Sequence, residues 1–244
     1  MNYLITGGTD GIGKAIVLEI LRHSQSAEDR VIVNYGHNEE KAKNFLSCLS
    51  DEDRSKVILI KADMSSEAGL NGFVDAVLKA VPAIDHIVSN IGIGEYAKFD
   101  DYTMEMWNRV ITTNLTIPTF LIQKLKPYIS NGGSILFVGS YAGICAYSSS
   151  LVYSISKAGV VYLAKALVKE FDTQGVRVNA IAPGFIETSW QNNRSAESYD
   201  RINKKIALHR FGEPEEVADM AYHVLMNTYM NGSIIEIHGG YNYF

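Results

Sequence analysis

The chain predicts a doubly wound α/β fold: a seven-stranded parallel sheet covered by helices on both faces. Three observations carry that expectation. Short β-branched runs alternate along the whole length with longer amphipathic stretches, as repeated strand–helix–strand units require. The short runs are apolar throughout, the pattern of strands buried on both faces. The first run also passes through a glycine-rich turn straight into a helical pattern, the arrangement that opens such folds.

Residues 2–6 make the first strand, Gly7-Gly8-Thr9-Asp10-Gly11-Ile12-Gly13 the turn, and Ala15, Ile16, Leu18, Glu19, Ile20 and Leu21 the following helix. Further strands are predicted over 31–35, 56–62, 84–89, 134–139, 177–182 and 233–238, with helices between them. Right-handed crossovers and a reversal of strand order place a ligand cleft beyond the carboxyl ends of the strands. Thr6, Asp63, Asn90, Ser140 and Pro183 each stand at or just past such an end. The segment 187–209, rich in Asn, Ser, Lys and Arg, is expected to form a lid over that cleft. Tyr199, Ile202 and Ile206 keep helical spacing within it, so a surface helix is an equally good reading, and the two are compatible. No repeat, low-complexity tract or linker divides the chain, which predicts one domain over 1–244.

Composition bounds the partners. With 244 residues, 47% hydrophobic and 20% charged, the chain is long enough for one substantial core. Its net charge of −5 and lack of any Lys/Arg stripe argue against nucleic acid. The first strand starts at residue 2, and no apolar stretch reads as long enough for a membrane span, so a cytoplasmic protein is expected. Cys48 and Cys145 are too few and too far apart for a disulfide framework, and the six histidines show no metal-ligand spacing.

Of the fourteen tyrosines only Tyr153 has a lysine four residues later, Lys157, and the pair follows Ser140 at the end of an apolar run. On a helix, positions four apart lie on one face, so phenol and ammonium can serve one substrate together. A free phenol titrates near pH ~10, and a neighbouring cation is expected to lower that value toward the range useful for proton transfer. The glycine turn offers a complementary function, because free amides at a helix start and close backbone approach suit a pyrophosphate.

Thr6-Gly7-x-x-x-Gly11-x-Gly13, Ser140 and Tyr153-x-x-x-Lys157 together resemble the signature of the short-chain dehydrogenase/reductase family, and the likeness extends over essentially the whole chain. It is strongest for reductases of the 3-oxoacyl-[acyl-carrier-protein] type, through Val33-Asn34-Tyr35 and Arg210-Phe211-Gly212-Glu213-Pro214. The resemblance implies a Rossmann-type fold and an NAD(P)-dependent oxidoreductase that transfers hydride between nicotinamide and a carbonyl or secondary alcohol. It implies Tyr153 as general acid, Ser140 as holder of the carbonyl oxygen, Lys157 as partner of Tyr153 and of the nicotinamide ribose, and Asn114 as holder of a water beside the lysine. It further implies a cofactor bed made by Gly7, Gly11, Ile12, Gly13, Asp63, Met64, Asn90, Gly92, Pro183, Gly184, Ile186 and Thr188.

Cofactor choice turns on the end of the second strand, where a carboxylate would select NAD. That position holds neutral Asn34, which favours NADP, whereas Asp10 occupies a turn position where many NADP-using relatives carry arginine. The balance favours NADP over NAD on the expectation that Asp10 points to solvent. The expected substrate wall is apolar and aromatic, with Tyr96, Tyr141, Cys145, Tyr147, Phe185 and Trp190, and suits a ketone, secondary alcohol or acyl thioester. By resemblance the protein is a homotetramer or dimer, and the tail Tyr241, Tyr243 and Phe244 either packs into a neighbour or frays. The alternative from another class is a non-catalytic NAD(P)-binding redox-sensing regulator.

Overall fold

The computed structural model describes residues 1–147, 150–241 and 243. Seven parallel strands, β1 (Asn2–Ile5), β2 (Arg30–Tyr35), β3 (Val57–Lys61), β4 (Ile84–Ser89), β5 (Ile129–Val138), β6 (Arg177–Pro183) and β7 (Ile234–Ile237), lie in the order β3-β2-β1-β4-β5-β6-β7. The order runs outward in opposite directions from the β1/β4 boundary, and that reversal opens the crevice at the strands' carboxyl ends.

Helices cover both faces, as the uninterrupted apolar strands require. On one face α1 (Gly11–His23) and α9 (Pro214–Met226) pack side by side, burying Ile16, Val17, Ile20, Val217, Ala221 and Val224 against β1 and its neighbours. The other face carries α4 (Glu67–Ala80), α6 (Ile117–Leu125) and α7 (Leu151–Ala166), through Leu70, Phe73, Leu121, Leu125, Val160 and Ala164. Two short helices, α2 (Glu39–Ser47) and α3 (Asp51–Lys56), link β2 to β3. Lys56, expected to open a strand, instead closes α3, because Ser50 caps that helix and Asp51, Glu52 and Asp53 fill its first turn. β5 starts at Ile129, five residues early, since Ile129 pairs with Ile84 before a register shift restores pairing at Ser134 and His86.

Two departures shape the site. Between α5 (Met104–Ile111) and α6 the chain makes a π turn, Thr112–Thr116, centred on Asn114. Pro118 lacks the N–H that an α-helix would direct at the carbonyl of Asn114, so the regular ladder is broken there. The second departure is the excursion from Glu187 to Phe211, which contains a short turn, Ser189–Gln191, and α8 (Ala196–Asn203) capped by Ser195. Its two ends are pinned together: Glu187 N–H donates to Gly212 O at 2.8 Å, and Gly212 N–H to Phe185 O at 2.9 Å.

Within Leu151–Gln174 an 18-residue window has a mean hydropathy of 1.4, which by length and composition alone matches a membrane span, a match the sequence reading did not anticipate. Its hydropathy has a local cause: Val152, Val160 and Ala164 sit in the core, while Leu151, Ile155 and Tyr162 make a second, outward apolar face.

Candidate active site

Backbone geometry comes first. Gly7 and Gly11 hold left-handed φ values of +63° and +50°, which a side chain would strain. At Gly13 a Cβ would meet Gly7 O at 2.2 Å and Asn90 Nδ2 at 2.5 Å, so the first turn of α1 closes tightly on the loop before it. Asn90 Nδ2 donates to the carbonyls of Thr6 and Gly7 at 3.1 Å each, and the N–H groups of Asn90 and Ile91 donate to Thr6 Oγ1, tying the end of β4 to the glycine turn.

Beside this turn lies a cleft of about 250 Å³. Gly7, Gly11, Ile12, Asn90 and Gly92 line one side, Pro183, Gly184, Ile186, Thr188 and Trp190 another, and Ser140, Tyr153 and Lys157 its floor. The rigid turn at the start of α1 and these flanking loops fit a dinucleotide, which a Cβ at Gly7, Gly11 or Gly13 would obstruct or distort.

Tyr153 and Lys157 come from successive turns of α7, and Ser140 from the end of β5, where its Oγ accepts from Ala142 N–H at 3.2 Å. Burial pushes the Tyr153 phenol up to about 12, against the opposing pull of the nearby Ser140 hydroxyl. Burial pushes the Lys157 ammonium down to about 8. Lys157 Nζ donates to Val138 O at 2.8 Å and stands 5.9 Å from the centroid of the Tyr153 ring. The expectation that Lys157 lowers the phenol is therefore corrected: desolvation dominates, and the protein holds Tyr153 neutral over the whole physiological range.

Asn114 lies 1% exposed behind the floor. Its Oδ1 accepts from Ile93 N–H at 2.8 Å, and its Nδ2 donates to Ile93 O at 2.9 Å and Ser156 Oγ at 3.0 Å. It thus clamps the loop after β4 to α7, and a Cβ at Gly92 would lie 3.3 Å from Lys157 Nζ and 3.6 Å from Asn114 Oδ1.

A family model described as Enoyl-(Acyl carrier protein) reductase matches residues 7–242. The chain belongs to the short-chain dehydrogenase/reductase family. It is 33% identical over 242 residues to the 3-oxoacyl-[acyl-carrier-protein] reductase FabG of Aquifex aeolicus, covering 97% of this chain and 95% of the relative. It is 34% identical to the acetoacetyl-CoA reductase of Rhizobium meliloti, with 97% and 96% covered. Among solved structures it resembles the Pseudomonas aeruginosa RhlG/NADP active-site complex, with a TM-score of 0.89 at 29% identity, covering 99% of this chain and 96% of that one.

Several residues of this short-chain dehydrogenase/reductase sit elsewhere than the sequence suggests. Asn34 is fully buried and does not line the cleft: its Oδ1 accepts from Gly7 N–H at 3.3 Å and its Nδ2 donates to Ala62 O at 3.1 Å. It holds the glycine turn and leaves no polar atom for a ribose. Asp63 faces outward, accepting from Ser65 N–H and lying 3.4 Å from His37 Nε2, while Met64 is buried in the core. Asp10 lines the cleft with its side chain 42% exposed, bonded to Gly11 N–H, Ser189 Oγ and Lys41 Nζ.

The expected substrate wall divides. Trp190 stands at the cleft, its ring 5.6 Å from that of Tyr153, and a Cβ at Gly94 would touch Trp190 on one side and Tyr96 on the other. Tyr141, Cys145, Tyr147 and Phe185 do not line it; they pack with Tyr199, Ile202, Ile206, Phe211 and Tyr241 into a separate aromatic cluster beneath the excursion. Aromatic rings carry enough apolar area to found such a satellite core, and sequence alone does not separate that use from a pocket wall. Tyr241 is thus committed to its own subunit, while Phe244 lies outside the described residues. Ser189, Gln191 and Val138 also line the cleft although the sequence does not single them out; Ser189 does adjoin the expected Thr188.

Proposed function

We propose that this protein reduces the ketone of a 3-oxoacyl thioester, with NADPH as hydride donor and Tyr153 as proton donor. The observation that carries the reading is that Ser140, Tyr153 and Lys157 share one cleft with the glycine turn. When bound along that turn, the cofactor would supply the hydride. Gly7, Gly11, Ile12, Asn90 and Gly92 would hold its adenosine and pyrophosphate side, and Pro183, Gly184, Ile186 and Thr188 its nicotinamide side. Support for NADP comes from the likeness to the Pseudomonas RhlG/NADP complex, and support for a 3-oxoacyl thioester from the names of the Aquifex and Rhizobium relatives.

Ser140 and Tyr153 would both donate hydrogen bonds to the ketone oxygen. A phenol held neutral to about pH 12 keeps its proton until the oxygen becomes an alkoxide, which favours reduction at neutral pH. The Lys157 ammonium would then offset the buried phenolate that forms, and its remaining donors suit ribose hydroxyls. Asn114 acts through position, keeping the 91–93 loop and α7 in register. The excursion 187–209 serves as a lid, and one domain carries both cofactor and chemistry. Assembly into a homo-oligomer through the outward apolar faces of α6 and α7, where Phe120, Leu151, Ile155 and Tyr162 are exposed, is part of the same reading, as is a cytoplasmic location. Light scattering that gives a monomer at micromolar concentration would remove the assembly. The regulator alternative has no support among these relatives, which are named as reductases or, in one case, a dehydrogenase.

The direct test is NADPH absorbance with acetoacetyl-CoA and a panel of ketones. Substrate-dependent loss of absorbance is expected. A folded protein that binds NADPH yet turns over none of them contradicts the reading.

A further inference from the structure

We infer that Lys41 is the residue that reads the 2′-phosphate of NADPH, and that Asp10 holds its ammonium in position until the phosphate takes it over. The inference rests on the NADPH reading above and adds the residues that make the choice.

Four features lead to it. The side chain of Lys41 reaches from the first turn of α2 back to Asp10 in the glycine turn, and so spans the gap between the end of β2 and the start of α1. In a doubly wound fold that gap receives the adenosine ribose. Lys41 is fixed at its base, because its N–H donates to the α2 cap, Asn38 Oδ1, at 2.9 Å.

Two neighbouring carboxylates that would oppose a phosphate are already engaged. Glu39 pairs with Lys61 at 2.5 Å, and Asp63 lies 3.4 Å from His37 Nε2. No acid stands at the end of β2, where Asn34 is buried and spent on backbone.

Asp10 can release the lysine without being left unsatisfied. Its Oδ1 keeps the hydrogen bond from Gly11 N–H at 2.9 Å, and its Oδ2 keeps that from Ser189 Oγ at 2.6 Å. Although burial works to raise it, the hydrogen bonds from Lys41 and Ser189 and the charge of Lys41 hold the Asp10 carboxyl below its ordinary value, so it is ionised at neutral pH.

The exchange is also favourable. Both members of the Asp10–Lys41 pair are more than 40% exposed, and such pairs contribute little. A phosphate offers close to two negative charges and three acceptor oxygens in place of one carboxylate. Asp10 then has a second effect: its charge remains beside the incoming phosphate and limits how tightly NADPH binds.

Equilibrium binding of NADPH and NADH, followed by nucleotide fluorescence at two salt concentrations, separates the possibilities. Lys41→Met is expected to weaken NADPH at least tenfold and NADH less than twofold, and to flatten the salt dependence of NADPH alone. Lys41→Arg is expected to recover most of the loss. Asp10→Ser, which keeps a capping side chain for α1, is expected to tighten NADPH three- to tenfold. Equal weakening of both nucleotides by Lys41→Met, or no effect on either, overturns the assignment while leaving the proposed reaction intact. Weaker NADPH binding in Asp10→Ser overturns the exchange. A wild-type protein that binds NADH but not NADPH overturns both this inference and the cofactor reading.

Discussion

The two ends of the sheet each bury a cation, and they treat it in opposite ways. At the amino end of β6, Arg177 is 8% exposed and donates to the carbonyls of Val224, Leu225 and Met230. It closes the carboxyl end of α9, where backbone acceptors would otherwise go without partners. At the carboxyl end of the sheet, Lys157 is 4% exposed and has one hydrogen-bond acceptor among the described residues, Val138 O. An ammonium has three donors, so two remain for a ligand in the cleft that Lys157 lines. The first cation directs its hydrogen bonds at backbone carbonyls and stabilises the fold. The second is held at a cost in desolvation, with capacity to spare for a ligand.

The same contrast extends to the neighbours. His86 at the amino end is pushed down to about 4 by burial, hydrogen-bonded to Ser134 Oγ at 2.7 Å and stacked on Tyr3. It is a neutral packing group. Tyr153 at the other end is also held neutral by burial, but on the surface of a cleft, where its proton can be given away.

The sharpest way to break the comparison is at the phenol. Tyr153→Phe removes one oxygen from the cleft floor and is expected to lower kcat by about 10²–10⁴ while NADPH affinity stays within threefold. Titration of NADPH fluorescence beside a steady-state assay checks both halves. Next in size is Gly13→Ala, whose methyl would meet Gly7 O at 2.2 Å in a place with no flexible neighbour to yield. A loss of about 1–3 kcal/mol is expected in urea melts, with weakened binding of both nucleotides.

The pH profile sharpens the account of Lys157. Its ammonium is lost as pH rises through about 8, and with it the charge that offsets a phenolate. Reductive kcat/KM should therefore fall above about pH 8 with the slope of one proton, and the acid limb should show no contribution from Tyr153, which stays protonated there. The smallest effect is expected at His209, which joins the excursion to Arg210 with a left-handed φ of +53°. His209→Gly relieves that strain and should raise stability by about 0.5–1 kcal/mol, seen as a rise of a few degrees in melting temperature.

Much of this architecture is legible in the sequence because parallel strands buried on both faces leave an unbroken apolar run, as in Val31-Ile32-Val33 and Ile135-Leu136-Phe137. The cleft is legible for a related reason: glycine spacing and a Tyr–Lys pair one turn apart are local patterns. What escapes is whatever depends on contact between distant segments. Lys41 and Asp10 are 31 residues apart, and nothing in either neighbourhood announces their pairing. Tyr141, Tyr147 and Phe185 follow strand ends as pocket residues do, yet serve a satellite core whose other half lies beyond residue 198. The direction of the Tyr153 shift escapes as well, because the sequence displays the charge beside the phenol and hides its burial. Depth below the surface is a property of the whole fold.

The contrast between the cation bonded to backbone carbonyls and the cation in the cleft is tested most directly by pairing Lys157→Met with Arg177→Met and measuring melting temperature and turnover in each. At pH 7 Lys157 is protonated against its burial, so its replacement should leave the melting temperature unchanged or raised while turnover falls at least a hundredfold. Arg177→Met should strand buried carbonyls, at a cost of roughly 2–5 kcal/mol, with the folded fraction keeping near wild-type turnover. The reverse pattern, in which Lys157→Met unfolds the protein and Arg177→Met abolishes turnover in folded material, would contradict the account.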